Sequence, residues 1–438
     1  MTHDVIVCGA GPAGGVVARR LAAAGARVAL LGMTSRPGWE GLSARSLALL
    51  ADEGLDSMTD VIAGPFARRG VWAGGRSVEG IEWLVERSGL AAALCAAAKF
   101  SGVDHRLDAV MSARRAGDCW SVRLRSGAVL TAPLLIDARG RRGPQRRGPL
   151  LLAIGQRLRR STRSVTATST TGIGVADFGW CWWAEHGQAL WVQVVGKPRA
   201  GHPAAWMTAA AAQIPALARA LDGAAIWGDA LARPAHARLG MLGSDPTSWR
   251  VGDSALALDP LSGQGIYEAL RGACLVAAAV QSVLDGGDVV LAHRFICERY
   301  EDAWLRGVRV AEEFYRENRG HGAFWRDTAA AYGALLPART PLASVAAAAH
   351  IERRPVLERG RILEREVIIT AEHPRGVWHI DGVPLANLKH YFDAAEHATI
   401  DGAAVALDRP PAAIATAMHW LQQAGHMLQP KSSVSSGG

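Results

Sequence analysis

Asp4-Val5-Ile6-Val7-Cys8-Gly9-Ala10-Gly11-Pro12-Ala13-Gly14 is the stretch that decides the fold. Its first five residues are a short apolar, β-branched run closed by a glycine, the pattern of a buried parallel strand. Gly9, Gly11 and Gly14 then spell G-x-G-x-x-G. In that pattern the first glycine makes the tight turn, the second lets the backbone approach a pyrophosphate, and the third lets helix and strand pack closely. Pro12 and Ala13 lead into a helix expected over residues 13–24, and residues 26–31 read as a second strand. Strand, glycine turn and helix in this order make a mononucleotide-binding unit, with free N–H groups and the positive dipole end of the helix aimed at an anion, worth up to ~2 kcal/mol in good geometry. One element departs from the pattern. An acidic residue should end the second strand and hold the ribose hydroxyls, but Gly32 stands there. The ribose then needs other partners, such as backbone groups around Gly32 and Met33, and an NAD reading is weakened because that acid has its larger role there.

Working outward, the chain of 438 residues is long enough for two or three packed regions, at about 150 residues per domain. Hydrophobic residues make up 49% and charged residues 20%, ordinary for a globular protein. The unbroken apolar runs are shorter than the ~18–20 residues of a membrane span, and no basic stretch precedes an apolar one near Met1. No membrane association and a cytoplasmic location are the expectations. Cys8, Cys95, Cys119, Cys181, Cys274 and Cys297 lie far apart with no C-x-x-C, which suits buried thiols in a reducing compartment. The net charge of +8 comes from arginine, because Lys99, Lys197, Lys389 and Lys431 are the only lysines. A basic surface suits an acidic protein partner; no motif points to nucleic acid. The fourteen histidines show no metal-ligand spacing.

Further along, residues 86–101 read as a helix and 129–137 as a strand ending at a glycine turn. Residues 164–171, 179–184 and 189–195 read as strands of an antiparallel sheet rich in tryptophan, and 204–221 as one amphipathic helix. Residues 250–257 return as a strand, followed by a helix from Gly265. Helices over 291–318 and 323–335, a strand pair 366–370 with 376–380 and a helix 412–423 complete the chain; the serine- and glycine-rich tail after Pro430 is expected to be disordered. The fold class is α/β: a Rossmann-like domain over 1–160, with a short insertion near 64–84, an antiparallel-sheet substrate domain over 161–245, a return over 246–290, a mainly helical module over 291–429 and a tail over 430–438.

A second motif names the dinucleotide. Gly252-Asp253-Ser254-Ala255-Leu256-Ala257-Leu258-Asp259-Pro260-Leu261-Ser262-Gly263-Gln264-Gly265-Ile266 resembles the G-D segment of FAD-dependent hydroxylases and halogenases. By that resemblance Asp253 holds the ribityl chain, Pro260 packs near the isoalloxazine, and Gly263, Gln264, Gly265 and Ile266 bring a helix N-terminus to the flavin N1/O2 edge, where negative charge gathers on reduction. The family also places an arginine near the phosphates, which falls on Arg87. Arg45 follows the Gly38-Trp39-Glu40-Gly41-Leu42-Ser43 stretch, which resembles the loop beside the flavin in halogenases. Guanidinium suits phosphate because its fork donates two hydrogen bonds at once; the alternative reading for either is a surface arginine. Leu135-Ile136-Asp137-Ala138-Arg139-Gly140 resembles the family's D-A-x-G turn. Val110 and Gly32 complete the expected FAD contacts.

The chain thus resembles the single-component superfamily of FAD-dependent monooxygenases, tryptophan halogenases and geranylgeranyl reductases, over roughly its first 300 residues. That resemblance implies FAD as cofactor, NAD(P)H as transient electron donor and O₂ as co-substrate. Tryptophan halogenases need a lysine in the N-terminal domain, whereas the first lysine here is Lys99 in a cofactor-side helix. Their active-site glutamate falls on Ser262, and their W-x-W-x-I-P is only echoed by Trp180-Cys181-Trp182-Trp183. Halogenation is therefore not expected and monooxygenation leads. Within the superfamily, the Gly38–Ser43 and Asp259–Ile266 stretches are most similar to the flavoprotein monooxygenases of tryptophylquinone biogenesis in quinohemoprotein amine dehydrogenase. This implies two hydroxylations of a tryptophan in a small protein subunit, alongside that subunit's other maturation enzymes. Indole is electron-rich, so no strong base is needed, in keeping with the lack of an obvious His–Asp pair.

Ser262, Gln264 and Glu40 are the candidate catalytic residues; Glu40 also reads as a partner for Arg45. Trp180, Trp182, Trp183 and Trp191 read either as substrate contacts or as the packed face of a sheet. His373, His379, His390 and His397 read as surface or interface residues. A reductase of lipid-like double bonds needs a long apolar tunnel, and a flavin-stabilised binding module needs no productive reduction; both stay open, as does a hydroxylase of small aromatics.

Overall fold

The computed structural model describes residues 3–33, 37–54, 61–72, 76–160, 169–199, 202–241, 243–337, 350–370, 372–394 and 398–425. Val5–Cys8 lies at the centre of a five-stranded parallel sheet, flanked by Val28–Leu31 and Asp104–Arg106 on one side and by Leu134–Asp137 and Ser248–Arg250 on the other. All four residues of the central strand are buried, which explains why it reads as a continuous apolar run rather than an alternating one. On one face the Pro12–Ala23 helix packs against the helices Arg87–Phe100 and Gly265–Leu284. On the other, Ile6, Cys8 and Leu31 meet Val122, Leu124 and Leu130 of a three-stranded antiparallel sheet, Val110–Ala116, Cys119–Leu124 and Val129–Ala132. The Gly265–Leu284 helix is long and apolar enough to cross a membrane, but Leu270, Ala273, Val276, Ala277 and Val280 bury its inner face in this layer.

A larger, mostly antiparallel sheet follows. Its strands run in the order Ala224–Ile226, Leu152–Arg160, Ala189–Gly196, Gly179–His186, Thr170–Ala176, Ile62–Trp72, Arg76–Glu86 and Trp39–Leu42, with Leu231–Pro234 also paired to Leu152–Arg160. Side chains alternate across it. Ile154, Leu158, Cys181, Trp183, Leu190, Val192 and Val194 pack against Trp206, Ala210, Ile214 and Leu217 of the helices Pro203–Ala211 and Pro215–Leu221. Trp180, Trp182, Trp191 and Gln193 therefore occupy the second face.

Several sequence expectations are corrected. The strand expected over 129–137 is two strands in different sheets, broken at Pro133, which has no N–H to donate. The helix expected over 204–221 is interrupted before Pro215 for the same reason. The strand expected over 250–257 ends at Arg250, because Gly252 turns the chain at φ +60° into a short 3₁₀ helix before the two-residue strand Leu256–Ala257. Trp39–Leu42, expected as loop, is an edge strand, and the insertion near 64–84 is a long hairpin. Most of the strand expected over 164–171, together with the tail, lies outside the described residues.

The chain divides into two compact units, residues 1–284 with 296–337, and 285–295 with 338–438. The boundary expected at residue 291 instead falls inside the long helix Val289–Glu317, and the helix Ala323–Gly333 belongs to the first unit. The second unit has its own core of Ile368, Leu385, Leu388, Ile414, Ala417 and Leu421. Its strand Arg361–Ile369 pairs along its length with His350–Glu358, while the expected partner contributes the single bridge Ile368–Val377. His373, His379 and His390 are exposed there; His397 lies outside the described residues.

Trp183 fills the space over Gly172, where an added Cβ would lie 2.2 Å from its ring. Trp183→Ala should lower the unfolding free energy by about 3–5 kcal/mol, read by urea denaturation followed by far-ultraviolet dichroism.

Candidate active site and cofactor cradle

The glycine turn is built on backbone contact. Gly9 adopts φ +121°, and a Cβ there would lie 2.3 Å from the Ala138 carbonyl oxygen. A Cβ on Gly14 would lie 1.9 Å from the Gly9 oxygen, so the third glycine is what lets the helix sit on the strand. Gly11, the N-cap of the Pro12–Ala23 helix, differs: an added Cβ meets nothing within 4 Å, and no side chain caps the helix. The turn thus leaves an open approach to uncapped N–H groups, a cradle that fits a pyrophosphate. Gly252, whose Cβ would lie 2.9 Å from Ala13 Cβ, lays the Asp253 segment against the start of the same helix. Pro12, Ala13 and Asp253 are therefore brought together, as the cofactor reading requires.

Gly32 explains the missing acid. It stands at φ +134°, where a Cβ would come 3.2 Å from the Ala10 nitrogen. A side-chain-bearing residue is strained there, so no carboxylate can occupy the position.

Asp253 accepts a hydrogen bond from Arg141 Nε at 3.0 Å, and Arg141 Nη1 also donates to the His236 carbonyl at 2.7 Å. Behind them Arg238 is fully buried, and its Nε and Nη1 have no hydrogen-bond partner among the described residues. Burial, then neighbouring Arg141, pushes its guanidinium down to about 10. This cationic ground beside Asp253 suits the anionic part of a dinucleotide.

The second half of the G-D segment forms a turn. Pro260–Ser262 is a 3₁₀ helix, Gly263 is left-handed at φ +63°, and Gly265 opens the long helix. Cβ atoms on Gly263 and Gly265 would meet nothing within 4 Å, and Gly263, Gln264 and Gly265 are exposed while Ile266 is half-buried. Ser262 Oγ donates to the Asp259 carbonyl at 2.8 Å and accepts from the Gln264 nitrogen at 3.3 Å, so its hydroxyl shapes the turn. Arg45 lies over the Tyr267 ring, 5.9 Å from its centroid, close to this helix start. Val110 begins its strand and packs on the Ile6 and Cys8 cluster.

Glu40 does not pair with Arg45 in any described ion pair. It forms one with Arg87 and another with Arg233 Nη1 at 3.2 Å. Arg233 Nη2 donates to Gln193 Oε1 at 2.6 Å, and burial lowers the Arg233 guanidinium below its usual value. Arg87, expected at the phosphates, thus engages Glu40 at the first turn of its helix, where Glu86 is the N-cap. Beside this group Glu82 is buried and accepts from Trp182 Nε1 at 3.2 Å; a Cβ on Gly41 would lie 2.5 Å from its carboxylate. Trp191 closes over Gly155 and Gly38. The tryptophans divide by face. Trp183 belongs to the helix-backed core, Trp180 donates to Tyr315 at 3.4 Å, and Trp182 and Trp191 line the second face with Gln193.

Sequence reasoning missed Arg233, Gln193, Glu82, Arg141 and Arg238. Strand alternation places Gln193 opposite the core residues Val192 and Val194, a signal that was available. The arginines carry none, since each becomes significant only through a partner distant in sequence.

No protein-family model matches the chain. A stretch of 82 residues is 35% identical to tryptophan 2-halogenase of Chondromyces crocatus, covering 18% of this chain and 16% of that relative. In solved structures, the chain is similar to the peptidyl tryptophan dihydroxylase QhpG, essential for tryptophylquinone cofactor biogenesis, at 27% identity and a TM-score of 0.79, over 97% of this chain and 100% of that one. It also shares the fold of the flavin-dependent halogenase CmlS, with 17% identity and a TM-score of 0.72, over 97% and 95% of the two chains. The fold is that of FAD-dependent halogenases and monooxygenases, and the cradle residues fit FAD.

Because a side chain at Gly11 meets only open space, Gly11→Val should leave thermal stability within a degree or two while weakening FAD binding at least 100-fold by fluorescence titration. Gly14→Val, which collides with backbone, should instead prevent folding.

Proposed function

We propose that this chain, built on the FAD-dependent monooxygenase and halogenase fold, hydroxylates a tryptophan side chain of a polypeptide twice, as a quinone precursor requires. The substrate in this reading is the small tryptophan-bearing subunit of an amine dehydrogenase, handled alongside that subunit's other maturation enzymes in the cytoplasm. The observation that carries the reading is the full-length likeness to QhpG, which extends through the second unit, where the G-D motifs have no counterpart.

When bound, FAD supplies reduction by NAD(P)H and activation of O₂. Each round places one oxygen atom of O₂ on an indole carbon and releases the other as water, with two electrons from NAD(P)H; two rounds give the dihydroxylated side chain. The residues of this chain hold and orient. Gly11 and the helix start at Pro12 bind the pyrophosphate, with Asp253 and Arg141 beside them. Trp182 and Trp191 are buried and stiffen the sheet face that carries Gln193. Glu40 is engaged by Arg87 and Arg233, so it serves as a fixed part of the wall rather than as a free base. An electron-rich indole ring needs none for attack. Ser262 stands where halogenases carry a glutamate, which favours oxygen insertion over halogenation. A reductase of apolar chains would need an apolar lining, against which Gln193, Arg233 and Glu40 argue.

Incubation of the protein with FAD, NADH, ¹⁸O₂ and a tryptophan-bearing amine dehydrogenase subunit should add two labelled oxygen atoms to one tryptophan, read by peptide mass spectrometry. Unlabelled peptide from a flavin-loaded enzyme that consumes NADH would contradict the reading.

A further inference from the structure

Asp259 is 1% exposed and carries a carboxyl group that no step above uses. Tyr332 Oη donates to its Oδ2 at 2.6 Å, Tyr315 Oη donates to the same oxygen at 3.2 Å, and the Leu261 amide donates to Oδ1 at 2.9 Å. The two tyrosines come from separate helices, Val289–Glu317 and Ala323–Gly333, and their rings stack at 5.7 Å. Tyr332 fits beneath Gly148, where a Cβ would lie 2.9 Å from its ring. Beyond Tyr315, Trp180 Nε1 donates at 3.4 Å from the tryptophan-bearing sheet. On the other side, the Asp259 carbonyl accepts from Ser262 Oγ, which accepts from the Gln264 nitrogen. One hydrogen-bonded chain therefore runs from the sheet, through Tyr315 and Asp259, into the turn at Pro260–Gly265.

We propose that Asp259, gripped by Tyr332 and Tyr315, is a positioning residue that sets the Pro260–Gly265 turn against the flavin. This rests on the flavin reading above. Both carboxylate oxygens accept hydrogen bonds, an arrangement open to the ionised form; a protonated carboxyl must donate from one of them and breaks the pattern. Burial raises the group to about 6, against the opposing effects of Tyr332, the Leu261 amide, Tyr315 and, at longer range, Arg141. Among the described residues, Tyr332, Tyr315 and the Leu261 amide hydrogen-bond to it. Protonation thus falls within an accessible pH range, and its consequence reaches the flavin through the turn.

The test uses full-length protein loaded with FAD, following flavin absorbance and reduction potential from pH 5 to 8 without substrate. The wild type should show a transition with a midpoint near pH 6. Asp259→Asn should retain FAD and show none. Tyr332→Phe, which keeps the ring and removes a donor to the ionised form, should move the midpoint up by about one unit. An unchanged transition in both variants, or a flat wild-type profile with FAD bound, overturns the proposal. Should Asp259→Asn fail to fold, Tyr332→Phe decides by its midpoint alone. A wild type that binds no FAD overturns the flavin reading and this proposal together.

Discussion

The approach of the Pro12–Ala23 helix to the backbone of Gly9 is the constraint on which the rest of this structure depends. Gly14 permits it because a Cβ would lie 1.9 Å from the Gly9 oxygen. Once helix and strand are this close, Gly252 can lay the second glycine motif on Ala13, more than two hundred residues downstream. The N–H groups at Gly11, the Asp253 carboxylate and the turn at Gly263–Gly265 are thereby held on one framework. Side chains contribute little here; the cradle is a surface of backbone that glycine alone leaves uncovered. Gly32 obeys the same rule. Its left-handed backbone against Ala10 displaces the acid that a dinucleotide fold of this kind often carries.

The large sheet solves a different problem, that of packing aromatic side chains on both of its faces. Alternation sends Trp183 toward two helices and Trp182 and Trp191 to the opposite face. There the Trp182 indole donates to Glu82 and Arg233 ties Gln193 to Glu40, while Trp191 Nε1 has no hydrogen-bond partner among the described residues. The charged groups Glu82, Glu40 and Arg233 are tolerated in this wall because they are paired, and pairing gives the face a defined shape. Trp180 extends the same sheet toward Tyr315 and Asp259, so the wall and the turn at Pro260 share hydrogen bonds.

Much of this was legible in the sequence because it is local. The first strand, the glycine turn and its helix are set by neighbours within a few residues, and so is the turn from Asp259 to Ile266. The failures are equally physical. Pro133 and Pro215 break elements that hydrophobic pattern alone joins, and Gly252 ends a strand that the apolar residues up to Ala257 would continue. Trp39–Leu42 looks like a loop because its strand character comes from pairing with Arg76–Glu86, a hairpin whose arginines and glycines hide its period. Arg87 was expected at a phosphate and meets Glu40; the carboxylate of Asp259 passed unnoticed because its tyrosine partners lie 56 and 73 residues away.

The claim that most of the account stands on is that this chain holds FAD despite the glycine at the end of its second strand. The direct measurement is to reconstitute the purified protein with equimolar FAD and FMN, remove free flavin, denature, and identify what is released by chromatography. The account predicts FAD at close to one per chain with little FMN, because the Gly11 cradle is built for a pyrophosphate. Release of FMN, or of no flavin at all, would contradict it.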